Sequence, residues 1–330
     1  MLITYILLFL VSCVVLFWAG SALVNTLLQV AKILKWREFV IAFFVVAVAS
    51  SIPNLLVGID SALHGVPQLS FGDVMGGNNV INLTLDIALA VLFGGAIKTN
   101  SKMVQASILF TAGIVLLPLV LVFDGVLGRV DGVILILTYF LYVFWLFSKE
   151  ERFKKDYEGY IKEFGSQRKE EVRGLFRKIW VFLKDVLKLV GLLALLLLAC
   201  EGIVSSAKEF SVILNIPLAL VGIFIIGVGN ALPETYFSIV SARKGQSWLI
   251  LGNLMGGSVV CATIVLGVVA LICPITVSNI SPFLIARIFL FLGVAFFLFA
   301  ARSGKHITKL EGWILLLIYI AFIICELIFK

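Results

Sequence analysis

Two short stretches 180 positions apart constrain this chain more than anything else in it: Gly227–Glu234, written G-V-G-N-A-L-P-E, and Ala47–Asn54, written A-V-A-S-S-I-P-N. Each sets a proline, a run of small residues and a polar tip inside an apolar span. The chain around them is 62% hydrophobic with a mean hydropathy of +1.15, and its charged residues, 14% of the total, bunch between long apolar runs. That is the pattern of a polytopic membrane protein. In hydrocarbon, backbone freed by a proline has to be satisfied by protein, water or an ion. Two interrupted helices at matching places in two halves of a chain point to a transporter's binding site.

The apolar runs predict an all-α membrane protein of ten spans, at 2–31, 39–61, 73–97, 103–123, 131–148, 179–207, 217–242, 248–273, 280–301 and 309–328. The offset of 180 holds without a gap: Pro53 meets Pro233, Ser61-Ala62 meets Ser241-Ala242, Gly65 meets Gly245, and Met75-Gly76-Gly77 meets Met255-Gly256-Gly257. Five spans separate the copies, and five is odd, so the two halves face opposite ways. The expected organisation is a five-helix repeat at 1–148 (motif 47–84), a basic linker at 149–178 and a second, inverted repeat at 179–330 (motif 227–264).

The loops orient it. With both termini outside, 22 of the 26 Lys and Arg fall on the cytoplasmic side, which is what the positive-inside bias requires. Trp36, Trp145, Trp180, Trp248 and Trp313 fall at the inner ends of spans as interfacial anchors. The expected location is the plasma membrane with the 149–178 loop in the cytoplasm. That loop reads as a solvated or interfacial helix joining two bundles. The formal charge of +7 is thereby explained by basic loops rather than by nucleic acid. Five lone cysteines and two histidines carry no metal or disulfide spacing, and no nucleophile–base pair suggests an enzyme. The partners are inorganic cations and the bilayer; no cofactor is expected, and oligomeric state is not encoded legibly.

A cation crossing a membrane needs oxygen ligands in place of its hydration shell, and negative charge to balance it. The first copy supplies Ser50, Ser51 and Asn54 around Pro53, then Asn78, Asn79, Asn82 and Thr84. The second supplies Asn230 and Glu234 around Pro233, then Ser258 and Thr263. Breaks at the prolines would add backbone carbonyls. Glu234 is the leading candidate, because an acid within a span by default marks an ion or proton path. Asp86, four residues after Asn82 and on the same helix face, is a second charge or a structural residue. Glu201 lines the access route or is a solvated helix-end acid, Asp60 and His64 lie at the outer mouth, and Asp73 and Asn253 are placed to cap the Gly-Gly helices.

These motifs resemble the two inverted repeats of the Ca2+:cation antiporter superfamily, most nearly its sodium/calcium exchanger branch. That family carries G-T-S-L-P-E followed by G-N-V-I-G-S-N in each copy. Here the motifs read A-S-S-I-P-N with G-D-V-M-G-G-N, and G-N-A-L-P-E with G-N-L-M-G-G-S. The resemblance covers all ten spans. It implies the exchanger fold and an ion site between the second, third, seventh and eighth spans; Glu234, Asn54 and Asn82 are taken as metal-facing, with Asp86, from its helix spacing, as a further candidate. Glu234 matches the acidic ligand of the second repeat; Ser50, Ser51, Asn230 and Ala231 match its Thr-Ser pairs; Gly77 and Gly257 match its Ser positions. The first-repeat glutamate falls on Asn54. The further polar ligand of the eighth helix falls near Cys261, and that of the third on Ile81 or Asn82, according to a one-residue choice of register.

One carboxylate does not neutralise a divalent ion in a low-dielectric site. Either Asp86 joins the site, or the ion is monovalent, or calcium binds weakly. The implied activity is a secondary antiporter exchanging Na+ and Ca2+ by alternating access. The rivals are a proton-coupled or monovalent exchanger of the same fold, an uncoupled cation channel, and a non-transporting scaffold.

Overall fold

The computed structural model describes residues 2–33, 38–100, 102–164, 175–243, 245, 247–277 and 281–328; side chains are described for a smaller set that omits, among others, 23–46, 149–186, Asn230 and Pro233. The chain is almost wholly helical: α1 (Leu2–Ile33), α2 (Glu38–Leu63), α3 (Pro67–Gly72), α4 (Ile87–Gly94), α5 (Lys102–Leu121), α6 (Arg129–Phe164), α7 (Leu175–Leu214), α8 (Leu218–Val221), α9 (Gly227–Arg243), α10 (Ser247–Val260), α11 (Leu266–Ile272), α12 (Ser281–Ser303) and α13 (Lys309–Ile328). α3 and α4 are one continuous helix over Pro67–Gly94, joined through two π-helical turns, Asp73–Asn78 and Ile81–Asp86. Further π turns, Gly222–Ile226 and Cys261–Val265, join α8 to α9 and α10 to α11.

Among the described residues, seven helical stretches are long and apolar enough to cross a membrane. They sort by burial. In Pro67–Gly94 and Ile250–Ile272 the most apolar window is 78% buried, whereas in Arg129–Leu146 and Lys309–Ile328 it is only 22% buried. The first pair forms the centre of the bundle. The second pair forms its rim, where exposed Leu141, Phe144, Leu317 and Ile324 supply the apolar surface that lipid solvates. A large aliphatic cluster holds the centre, including Phe71, Met75, Leu83, Ile87, Leu254, Val265 and Phe297. A second cluster, with Leu16, Ala19, Leu192, Leu196 and Ile203, packs α1 and α7 against each other and onto Val57 of α2.

Several backbone devices recur 180 positions apart. Gly65 and Gly245 both turn the chain in the left-handed region, at φ +70° and +71°. Gly125 (φ +89°) and Lys305 (φ +56°) do the same at a second matched pair. Lys305 takes up a conformation that costs a residue with a Cβ of the order of 1 kcal/mol. The π turns starting at Ile81 and Cys261 are a third matched pair. Two short antiparallel ladders, β1 (Ile97–Lys98) with β4 (His306–Ile307) and β2 (Val126–Leu127) with β3 (Ile275–Thr276), each draw one strand from either side of the central segment. One further backbone bond flanks each: Thr99 N–H to the Lys305 carbonyl at 2.9 Å, and Val277 N–H to the Gly125 carbonyl at 2.7 Å.

Two expectations change. α2 and α9 remain helical through Pro53 and Pro233 rather than breaking there. A proline within a helix removes one N–H, so the Ala49 and Gly229 carbonyls lose that helical donor without a break in the helix. Asp73 and Asn253 do not cap helices. Pro67 starts its helix at the first-turn position that suits proline, and Ser247 begins α10, so both residues lie buried inside continuous helices. The 149–178 segment is helical up to Phe164, where α6 ends; residues 165–174 lie outside the described residues.

Candidate cation site

The site forms where α2, the π-turned helix 67–94, α9 and α10 meet. Close backbone approach makes it possible. A Cβ on Gly77 would lie 2.5 Å from the Gly227 Cα, so the π turn Asp73–Asn78 and the start of α9 touch backbone to backbone. That contact brings Asn78 and Asn82, one helical turn apart, against the carboxylate of Glu234.

Glu234 is 5% exposed. Asn78 Nδ2 donates to its Oε2 at 3.5 Å, and the side chains of Asn82 and Ser50 also lie within hydrogen-bonding reach of it. Asn82 Nδ2 donates to Asn78 Oδ1 at 3.1 Å and to Ser258 Oγ at 3.4 Å. Ser51 Oγ donates to the Ala47 carbonyl at 2.8 Å, while Ser50 Oγ reaches the Ala47 carbonyl at 3.1 Å and Asn253 Oδ1 at 3.3 Å. Asn54 Nδ2 donates to Cys261 Sγ at 3.5 Å. At Gly257 a Cβ would sit 3.7 Å from Glu234 Oε1 and 3.8 Å from both Asn82 Nδ2 and Ser51 Oγ. That glycine therefore lies at the common meeting point of all three helices' polar groups.

Of the sequence-derived candidates, Glu234, Ser50, Ser51, Asn54, Asn78, Asn82 and Ser258 thus converge. The side chain of Asn230 lies outside the described residues. Of the two residues the register left open in the third span, Asn82 is the one that bonds across to Ser258. Asp86 does not contact the Glu234 carboxylate directly. It is fully buried one turn beyond Asn82, accepts the Thr235 hydroxyl at 2.5 Å, and has its Oδ2 without a partner. Thr235 was not among the candidates. Its position next to Glu234 is the only signal the sequence offered. Asn82 Oδ1 and both polar atoms of Asn79 are likewise buried and unpartnered, in a protein interior that normally satisfies such groups.

A bundle of apolar helices whose most buried members converge on a carboxylate among amide and hydroxyl groups defines an integral membrane protein with a polar centre. The chain belongs to the sodium/calcium exchanger protein family, whose sequence profile matches residues 4–148 and 184–327. Sodium/calcium exchanger MaX1 of Methanosarcina acetivorans is 26% identical over 349 aligned positions, covering 96% of this chain and 97% of the relative. Putative antiporter CaxA of Alkalimonas amylolytica is 26% identical over 95% of both chains. The fold matches that of the sodium-calcium exchanger NCX_Mj, with a TM-score of 0.63 at 22% identity over 98% of this chain and 99% of that one.

Proposed function

We propose that the protein is a secondary cation antiporter in which Na+ and Ca2+ compete for the Glu234 site and cross by alternating access. The observation that carries this reading is the buried Glu234 carboxylate ringed by Asn78, Asn82 and Ser50. Glu234 supplies charge. The Oδ1 atoms of Asn54, Asn78 and Asn82, the Ser51 and Ser258 hydroxyls, and the carbonyls freed by Pro53 and Pro233 supply the remaining oxygens. Emptied of cation, this site holds an unpaired buried charge, which costs several kcal/mol. Switching while empty is thereby penalised and switching while loaded is not, and that difference is what couples two fluxes into exchange.

The fold we infer for it is ten spans in two inverted five-helix repeats, 1–148 and 179–330, joined by 149–178. The left-handed turns, π turns and cross-paired strands that recur at matched positions support the repeat. The aliphatic α1–α7 pair is the element we expect to slide over α2 to switch access. Loop charge places both termini outside and the central segment in the cytoplasm of a plasma membrane. The test is radiolabelled calcium uptake into sodium-loaded proteoliposomes, with sodium-free controls and Glu234→Gln alongside. Sodium-driven uptake lost in the variant supports the reading; uptake that persists in Glu234→Gln, or that needs no sodium gradient, overturns it.

A second reading rests on Asp86. A buried acid one turn from the site, held by Thr235 and with a free Oδ2, would let a proton or a second monovalent ion travel with each cycle. In that version the protein is a proton-coupled or monovalent cation exchanger of the same fold.

A further inference from the structure

We propose that Asp60, His64 and Glu201 form a second metal site, for a zinc-class divalent ion, at the end of α2 and away from the Glu234 centre. One ligand atom from each lies within 4.8 Å of the others. The three come from two elements, α2 with the turn that follows it, and α7, so the group is not a run of neighbouring acids. His64 Nδ1 lies 2.9 Å from the Asp60 carbonyl, one turn back. The Asp60 Oδ1 lies 3.4 Å from the same nitrogen, and in the tautomer that carries its proton on Nδ1 the Nε2 atom is left as a ligand, the arrangement that orients metal-ligating imidazoles.

That Nε2 faces Glu201 Oε1 at 3.5 Å. That contact is satisfied either by a proton on Nε2 or by a cation held between the two ligand atoms. Two ligands about 2.1 Å from zinc and at a tetrahedral angle are about 3.4 Å apart, close to the 3.5 Å between His64 Nε2 and Glu201 Oε1. Asp60 adds the third donor: its Oδ2 is buried with no partner, and its carboxyl group lies within hydrogen-bonding reach of that of Glu201. Two carboxylates so close need a shared cation or proton. Lys208, two turns beyond Glu201 on α7, donates to the His64 carbonyl at 3.4 Å and leaves the trio with a net negative charge. One imidazole with two carboxylates suits zinc better than calcium, which prefers six or more oxygens.

The consequence for transport rests on the antiporter reading. An ion held here would pin α7 to α2 and restrain the sliding pair, so added metal would slow exchange.

Binding is tested without transport, by titrating the purified full-length protein in detergent with Zn2+ calorimetrically. The expected result is one saturable site per chain, weakened at least about tenfold by His64→Ala and by Glu201→Gln and unchanged by Glu234→Gln. Both surface variants should keep the parent's metal-free melting midpoint. Absence of saturable binding, binding indifferent to His64→Ala and Glu201→Gln, or binding lost in Glu234→Gln would overturn the proposal. Because the readout is heat and not flux, its failure is separate from failure of the antiporter assay.

Discussion

Replacing Asn54 with an acid tests how this site balances charge. Asn54 is 3% exposed and points its amide at Cys261, so a carboxylate placed there faces a desolvated interior. At an effective dielectric of about 20, a charge pair about 4 Å apart is worth about 4 kcal/mol per unit charge. A new carboxylate would then favour Ca2+ by about 8 kcal/mol and Na+ by about 4 kcal/mol. Desolvating the carboxylate and repelling Glu234 cost the same whichever ion is bound, so both cancel from the ratio of the two affinities. The difference of about 4 kcal/mol corresponds to about three decades of selectivity, and solvent screening still leaves well over one. The measurement is calcium binding to the detergent-purified protein at stepped sodium concentrations, which yields both dissociation constants. Asn54→Glu is expected to raise the calcium-to-sodium affinity ratio by at least about tenfold. Asn54→Asp, nearly isosteric with the native side chain, guards against a trivial packing defect. A ratio unchanged in both variants would show that Asn54 does not face the ion, and the proposed ligand set would lose its first-repeat member.

The matched glycines should respond oppositely. Gly77→Ala forces a methyl to 2.5 Å from the Gly227 Cα, and overpacking of that kind costs about 1–3 kcal/mol. Its thermal midpoint in detergent should fall by several degrees, while Gly257→Ala, whose Cβ meets nothing nearer than 3.7 Å, should melt with the parent; equal midpoints would refute the backbone contact. Gly257→Ser adds a hydroxyl beside Glu234 and is expected to tighten calcium several-fold, read by the same binding titration. Asp86→Asn keeps the shape and the Thr235 bond but removes an ionisable group. If Asp86 moves charge, the pH dependence of exchange in proteoliposomes flattens, whereas an unaltered profile assigns Asp86 to structure.

Much of the fold and site was legible because membrane chemistry leaves few solutions. Apolar length marked the spans, and an acid beside a proline marked Glu234. The matched Pro and Gly positions located the elements that now meet at Gly257. What stayed hidden depends on backbone detail that hydropathy does not encode. A π turn changes which face a residue occupies without altering composition, so the bond from Asn82 across to Ser258 could not be read from spacing alone. The prolines misled for a related reason: a helix can lose one N–H and stay helical when its neighbours pack it in place. Thr235 escaped because its role exists only through Asp86, on another helix.

The two halves share backbone devices more faithfully than chemistry, and that asymmetry bears on how exchange could work. Gly65 matches Gly245 and Gly125 matches Lys305 in conformation, and the ladders interlock symmetrically. Yet the polar tips differ: Asn54 stands where the second copy has Glu234, and Leu266 stands where the first has Asp86. Selection for a two-fold frame constrains turns and close contacts, which cannot change on one side alone without disturbing the other. In the proposed site the ligands share one ion, so a charge supplied by either repeat would reach it. In the proposed exchanger a frame of this kind would set the switching motion and leave selectivity free to vary. On that argument, moving one carboxylate between Asn54 and its counterpart position should change which ions exchange while leaving intact the motion that exchanges them.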